Sequence, residues 1–302
     1  IGYVIIIRGR MQAVFCILPL HKYFCAALRQ NWRYTPMFFD THAHYDDERF
    51  DADRMELLAS LPAAGVELVL DPGSDIASSK KALALADSFD FVYAAAGIHP
   101  HEADGASDAA FAELEELLRH PGAVAIGEIG LDYHYDFSPR ETQRRVFEAQ
   151  MALARDLDLP VIVHDREAHE DFLRIMRQFP TVRGVVHCYS GSLEMSRDIL
   201  RAGWNLSFTG SVTFKNNRKA PEILASVPID RFMLETDSPY MTPAPHRGER
   251  NDSTYLRYIA QFIADVRGDS VENIAASALI NGTDFFGIFP GDVEFLDTPE
   301  GE

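Results

Sequence analysis

The sequence predicts an α/β protein folded as a single-domain (β/α)8 barrel of the TIM type. Three observations point there. Short apolar runs alternate with longer amphipathic stretches from Met37 onward. Eight such runs fit into roughly 250 residues, the usual extent of this barrel. Run after run ends in histidines and carboxylates. A doubly wound sheet is the competing architecture, but it rarely needs eight such regular units.

The predicted strands, in order, are Phe38–Thr41, Glu67–Asp71, Phe91–Gly97, Val124–Glu128, Val161–His164, Gly184–His187, Asn205–Phe208 and Phe232–Glu235. Each is rich in Val, Ile, Leu or Phe and nearly continuously apolar, as strands buried on both faces are. The helical stretches between them are Asp53–Ala64, Ser74–Ser88, Asp108–Leu118, Glu141–Leu157 and Glu167–Arg177. Ser192–Ala202, Asn217–Val227, Thr254–Val266 and Val271–Phe285 follow. Asp108, Ser138 and Ser192 are placed to cap helix N-termini, and Gly65, Gly203 and Gly268 lie just past helix ends. No low-complexity segment or long linker interrupts residues 37–290, which read as one domain followed by a tail, 291–302.

Residues 1–36 are different in kind. They hold five basic residues (Arg8, Arg10, Lys22, Arg29, Arg33) and no acidic one, and their apolar bursts are short. None approaches the ~20 residues of a membrane span. The expectation is an N-terminal extension outside the fold, with a targeting segment as the alternative. The three cysteines, Cys16, Cys25 and Cys188, have no repeating spacing and make no disulfide framework, so a reducing, cytoplasmic setting is expected. Over the whole chain 28 basic residues face 46 acidic ones, a formal charge of −18. That excludes a broadly basic nucleic-acid coat, because so acidic a surface repels phosphate at long range. An enzyme whose site supplies its own cations is not excluded. There is no P-loop and no G-x-S-x-G elbow, so nucleotide-switch and serine-hydrolase chemistry lack support.

In this fold the C-terminal strand ends form one rim, where chemistry sits. Here they read Asp40-Thr41-His42-Ala43-His44, Gly97-Ile98-His99-Pro100-His101, Gly127-Glu128-Ile129-Gly130-Leu131-Asp132, His164-Asp165-Arg166, His187-Cys188-Tyr189 and Glu235-Thr236-Asp237. A lone strand-end histidine usually serves a loop hydrogen bond, but six such ends converge on one mouth. His42 and His44 are two apart, so strand alternation sends both to one face. Two neutral imidazoles there can hold a divalent cation. Glu128 is placed to bridge it to a second, His164 and His187 to complete the second site, and Asp237 to cap the first while orienting a water. Mixed imidazole and carboxylate ligands suit Zn, Mn or Mg.

FFDTHAHYDDERFD, GIHPHEA, GEIGLDYHYD, PVIVHDREA, VVHCYSGS and ETDSPYMTP together resemble the TatD family of metal-dependent hydrolases. This is a branch of the amidohydrolase-like (β/α)8 enzymes whose members act as deoxyribonucleases. The resemblance runs from about Met37 to Phe286. It implies two or three divalent ions (Mg, Mn or Zn) ligated by His42, His44, Glu128, His164, His187 and Asp237. It also implies DNA, single-stranded or at frayed ends, as the partner, cut by a two-metal exonuclease mechanism with a metal-activated water. The leader is the departure from the family pattern; it bears on localisation rather than chemistry.

Other residues carry two readings each. His99 either positions the scissile phosphate or shuttles a proton, or makes a structural hydrogen bond. His101 is expected to fix its loop, and Asp132 and Tyr133 either line the pocket or stabilise a turn. Arg166 either contacts phosphate or forms a salt bridge near Asp132 and Glu128. Lys215, Arg218, Lys219, Arg247 and Arg250 make basic islands in the loops after strands seven and eight, either a phosphate-tracking rim or solvated surface. Tyr133, Tyr135, Tyr189, Phe214 and Tyr240 can stack on unpaired bases or simply pack. Cys188, alternating outward, reads as a buried core thiol. Ester or amide hydrolysis (for example of an aminoacyl-tRNA), small-phosphoester hydrolysis and a non-catalytic metal-binding scaffold are the alternative functions. Oligomeric state is left open.

Overall fold

A computed structural model describes residues 3–7, 10–14, 36–288 and 296–297. Cys16, Cys25 and most of the predicted leader and tail lie outside them. The chain divides into two units. In the smaller, which holds both chain ends, Tyr3–Ile7 pairs antiparallel with Arg10–Val14 and with Leu296–Asp297. The larger, Pro36–Phe286, is the barrel.

Its strands are β1 (Phe38–Asp40), β2 (Val66–Pro72), β3 (Val92–Ala96), β4 (Ala123–Asp132), β5 (Val161–Arg166), β6 (Gly184–Val186), β7 (Asn205–Phe208) and β8 (Phe232–Leu234). They hydrogen-bond in sequence order, every pair parallel. The ends close on each other: Thr41 donates its backbone N–H to Leu234 at 3.1 Å, Asp237 to His42 at 2.9 Å and His44 to Ser238 at 2.8 Å. This is the (β/α)8 barrel, and the strand apolarity follows from it, since one face fills the barrel and the other meets the helices. The helices are α1 (Arg54–Ser60), α2 (Ile76–Ser88), α3 (Asp108–Leu117), α4 (Arg140–Leu157), α5 (His169–Met176), α6 (Leu193–Arg201), α7 (Ala220–Ser226), α8 (Leu256–Arg267) and α9 (Val271–Phe286). No helix among the described residues is long and apolar enough to cross a membrane.

Departures from expectation have local causes. β4 runs four residues further, because its ladder to β5 continues through Gly130–His164, Leu131–Asp165 and Asp132–Arg166. The cap of α3 is Ser107, whose hydroxyl accepts from Ala110 N, while Asp108 sits in the first turn where a carboxylate favours the helix dipole. Ser138 is not a cap either: α4 starts after Pro139, and the Ser138 hydroxyl bonds His101 O at 2.9 Å. Ser192 does cap α6. Gly65, Gly203 and Gly268 all take positive φ at helix ends.

Two buried glutamines tie helix to rim. Gln143 and Gln150 lie seven residues apart on α4, two turns along one face. Gln150 accepts from Ile98 N at 2.8 Å and donates to Ile98 O at 3.0 Å, bracing the residue before His99. Gln143 does the same for Asp132, at 2.9 and 3.0 Å. Replacing Gln150 by Leu strands both backbone groups of buried Ile98, so unfolding free energy is expected to fall by about 2 kcal/mol or more, read from the denaturant midpoint.

Candidate metal centre

Just past β1, the barrel closure fixes the first pair of imidazoles. Asp40, fully buried, accepts from Thr236 N (2.9 Å), Thr236 Oγ1 (2.6 Å) and Ser253 Oγ (2.6 Å), stitching β1 to the chain after β8. His42 and His44 therefore face Asp237 across the seam. Asp237 has φ 55°, a left-handed turn that interrupts strand geometry directly after β8.

Four side chains form the first nest. His42 Nε2 and His44 Nε2 lie 3.1 Å apart. Asp237 Oδ1 is 3.8 and 3.6 Å from these two nitrogens, and Glu128 Oε2 is 3.5 and 3.7 Å from them. The other Glu128 oxygen, Oε1, forms the second nest with His187 Nε2 at 2.8 Å, His164 Nδ1 at 2.9 Å and His99 Nε2 at 3.6 Å. Glu128 is thus shared, and the ring of His42 stacks on that of His187 at 4.0 Å.

The outer partners decide which ring nitrogen keeps a lone pair. His44 Nδ1 lies 3.1 Å from Pro72 O, which can only accept, so Nδ1 carries the hydrogen and Nε2 is free. His164 Nε2 lies 3.2 Å from Asp132 Oδ2, leaving Nδ1 for the nest. His187 Nδ1 faces Glu235 Oε1 at 3.5 Å without a hydrogen bond, and its Nε2 faces Glu128. His99 is reversed. Its Nδ1 accepts from His101 N at 3.2 Å, so its inward Nε2 bears the hydrogen. His44 and His164 thus aim lone pairs at the nests, and His99 aims a donor.

The electrostatics set His187 apart from His42 and His99. Burial holds His42 down at about 4, neutral and ready to ligate. Burial likewise lowers His99 well below the usual imidazole range. Burial opposes charge on His187, yet Glu128 and Glu235 overcome it and raise it well above that range. Against the pull of burial, His187, His99 and His42 hold Glu128 well below the carboxylate range. Burial pushes Asp237 up to about 6. Buried imidazole nitrogens and carboxylate oxygens that face one another in groups of three fit divalent cations in N/O coordination. His42, His44 and Asp237 would hold one ion, His164 and His187 the other, with Glu128 between.

Asp132 both stabilises a turn and lines the site. Its Oδ1 accepts from His134 N and Tyr135 N at 2.9 Å, making the turn, and its Oδ2 bonds His101 Nε2 (2.9 Å) and His164. Asp132→Asn is expected to weaken the ion at His164 roughly 10- to 100-fold, measured by metal titration, because that carboxylate fixes the ligand's tautomer.

Other sequence-flagged residues scatter. Arg166 forms no salt bridge with Asp132 or Glu128 among the described residues; its guanidinium lies over the Tyr135 ring, 4.7 Å from the centroid. Lys215 and Arg247 line a separate groove of about 250 Å³ with Phe214 and Asn216, and Arg247 stacks on Phe214 at 3.6 Å. Arg250 is taken by Asp53 in a two-pronged pair at 2.8 and 2.6 Å. Tyr189 is buried, with its hydroxyl on Ser192 O at 2.5 Å, so it packs. Cys188 does not alternate outward into the core: β6 stops at Val186, and Cys188 turns left-handed (φ 45°) and stays half-buried. Its Sγ lies 3.2 Å from Thr209 Oγ1, and burial pushes the thiol up to about 12, inert as a nucleophile.

Three participants escaped the sequence reading. Glu235 accepts from Ser207 Oγ and Cys188 N, both at 2.6 Å, behind His187. Asp46 and buried Asp71 stand on the Nδ1 side of His44. Burial, with Asp46 alongside, raises Asp71 well above the carboxylate range.

Comparison with known proteins points to one family. The family model described as TatD related DNase matches residues 39–287. The chain is 41% identical over 254 residues to the metal-dependent hydrolase YabD of Bacillus subtilis, covering 83% of this chain and all of that protein. It is 35% identical over 258 residues to the 3'-5' ssDNA/RNA exonuclease TatD of Erwinia amylovora, again 83% of this chain and all of the relative. Among solved structures, the TatD homologue YJJV of Escherichia coli superposes with a TM-score of 0.79 at 30% identity, covering 83% of this chain and 98% of the other. With its barrel and with matches spanning the full length of these two relatives, this chain belongs to the TatD family of metal-dependent hydrolases.

Proposed function

We propose that the protein is an exonuclease that trims single-stranded DNA from its 3' end, using two divalent ions. The observation that carries this reading is the shared carboxylate: Glu128 presents one oxygen to each of two imidazole nests in a single barrel mouth. Bound there, Mg, Mn or Zn would supply Lewis acidity to a phosphodiester and acidify a water. The barrel unit taken to carry the activity is residues 37–290. The name borne by the Erwinia relative supports the substrate and its direction.

The chain's own groups supply the rest. Asp237, pushed up to about 6 by burial, takes the proton of the attacking water and stands at the mouth where it can release it. His99, neutral and with its hydrogen on Nε2, donates to a non-bridging phosphate oxygen as charge builds there. Because that nitrogen carries a hydrogen, His99 serves the substrate rather than an ion. Arg166 beside Tyr135, and Lys215 and Arg247 in their own groove, are the cations offered to phosphates further along the strand. With so few on an acidic chain, affinity for long duplex should be weak.

The test uses protein stripped of metal and resupplied with Mg, Mn or Zn, incubated with single-stranded DNA labelled at either end, beside Glu128→Gln. Expected is metal-dependent shortening from the 3' end that the variant lacks, with RNA of the same sequence as a parallel substrate. No cleavage of either polymer with ions demonstrably bound would overturn the nuclease reading and move the site to acyl or small phosphoester substrates.

A further inference from the structure

The loop from β4 to α4 holds two large apolar rings out in solvent, directly beside the metal centre. Tyr135 is 48% and Phe137 68% exposed, and the two rings stack at 5.3 Å with 18° between their planes. Paired exposed aromatics cost hydrophobic free energy unless something covers them in use.

The loop is built to keep them there. Asp132 Oδ1 accepts from the backbone of His134 and Tyr135. Asp136, in a left-handed turn at φ 51°, grips Arg140 with both oxygens at 2.7–3.1 Å. Gln143 donates to Ser138 O at 2.8 Å, and Ser138 ties the loop to His101 O. The rings are therefore presented on a braced turn.

One imidazole separates them from the ions' ligands. The His101 ring meets Tyr135 edge-on at 5.5 Å and Phe137 at 4.8 Å, and on its other sides lies 4.3 Å from His99 and 6.3 Å from His164. Arg166, two residues beyond His164, covers Tyr135 without a carboxylate partner among the described residues, so its charge is available at the same edge.

We propose that Tyr135 and Phe137 form a stacking platform for the nucleobase adjoining the scissile phosphate, with Arg166 neutralising the neighbouring phosphate. The inference rests on the nuclease reading above and deepens it. A base can lie on Phe137 only when it has left its duplex stack, so the platform selects unpaired ends by geometry. Every base has a π-face, so it does so without reading sequence. The occupant is a base rather than a second copy of this chain because the patch adjoins both the candidate metal ligands and a guanidinium with no carboxylate partner among the described residues.

The experiment compares wild type, Phe137→Leu and the Tyr135→Ala/Phe137→Ala double variant in metal-loaded protein. KM and kcat are measured on a single-stranded oligonucleotide and on one whose terminal nucleotide is abasic. The double variant should raise KM on the normal oligonucleotide roughly 10- to 100-fold, the effect of one base–aromatic stack. Wild type should lose a comparable factor on the abasic end, and the two losses should not add. Phe137→Leu keeps apolar area without a π-face and should lie between. If wild type trims DNA and the double variant matches it on both substrates, the platform is overturned. It is equally overturned if the variants change only the oligomeric state, seen by light scattering. Failure of wild type to trim any DNA instead overturns the nuclease reading.

Discussion

Glu128→Gln is expected to lower the rate of DNA trimming at least about 10³-fold while leaving the barrel folded. The isosteric change swaps one oxygen for an NH2 at a site that is 4% exposed and has lone pairs on both sides. If the amide nitrogen turns toward His42 and His44, that nest faces a donor where it had an acceptor. If it turns the other way, the nest of His164 and His187 does. Either orientation removes the negative charge that both ions would share. A loss of ~4 kcal/mol of transition-state stabilisation corresponds to that rate factor. The metal-free variant should also lose the carboxylate that keeps His187 charged, so this imidazole should titrate at lower pH, visible by NMR. Circular dichroism and thermal unfolding are the controls for the fold. Ion stoichiometry by elemental analysis should fall below the wild-type value. A variant that kept full activity with ions bound would remove Glu128 from the mechanism.

The eight strands were legible because burial on both faces leaves a continuous apolar signature, and β7 (Asn205–Phe208) matches residue for residue. The convergence of the candidate ligands was legible for a related reason: barrel geometry brings distant strand ends to one rim, although His42 and His44 lie just past β1 and owe their facing to the closure. What the sequence does not print is the pairing of residues far apart. Arg250 looks like a free cation until Asp53, 197 positions away, is found holding it. Glu235 sits in the same strand-end run as Asp237, yet it turns to Ser207 and Cys188 because β8 pairs with β7. Gln143 and Gln150 left a readable trace, two amides at helical spacing on a buried helix face, whose meaning depended on knowing which strand end lay opposite. Tautomers are further removed still. That His99 donates where its neighbours accept follows from a backbone N–H two residues along, and no spacing rule contains it.

Asp237→Asn tests the nest of His42 and His44 alone and carries a pH signature in ion binding that is distinct from the His187 titration. Asparagine tolerates the left-handed φ of 55°, and the backbone bond from residue 237 to His42 O is unaffected, so the barrel closure should survive. The rate should fall about 10²- to 10³-fold, the usual cost of removing a positioned proton acceptor. Burial raises the wild-type carboxyl from 3.8 to about 6 before an ion enters. Above that pH the group is an anion and binds a cation directly; below it, each ion must first displace a proton. Apparent Mn affinity of the His42–His44 nest should therefore weaken by up to about tenfold per pH unit below about 6. His42, held down at about 4 by burial, adds no competing proton until the solution is more acidic still. The amide that replaces the carboxyl has no proton to exchange, so the variant should bind more weakly at pH 7.5 but lose this component of the pH dependence. Calorimetric titration at pH 5 and 7.5 with both proteins separates the cases. Parallel pH profiles for the two would mean that some other group sets proton competition in this nest, and that the burial of Asp237 has no part in its affinity.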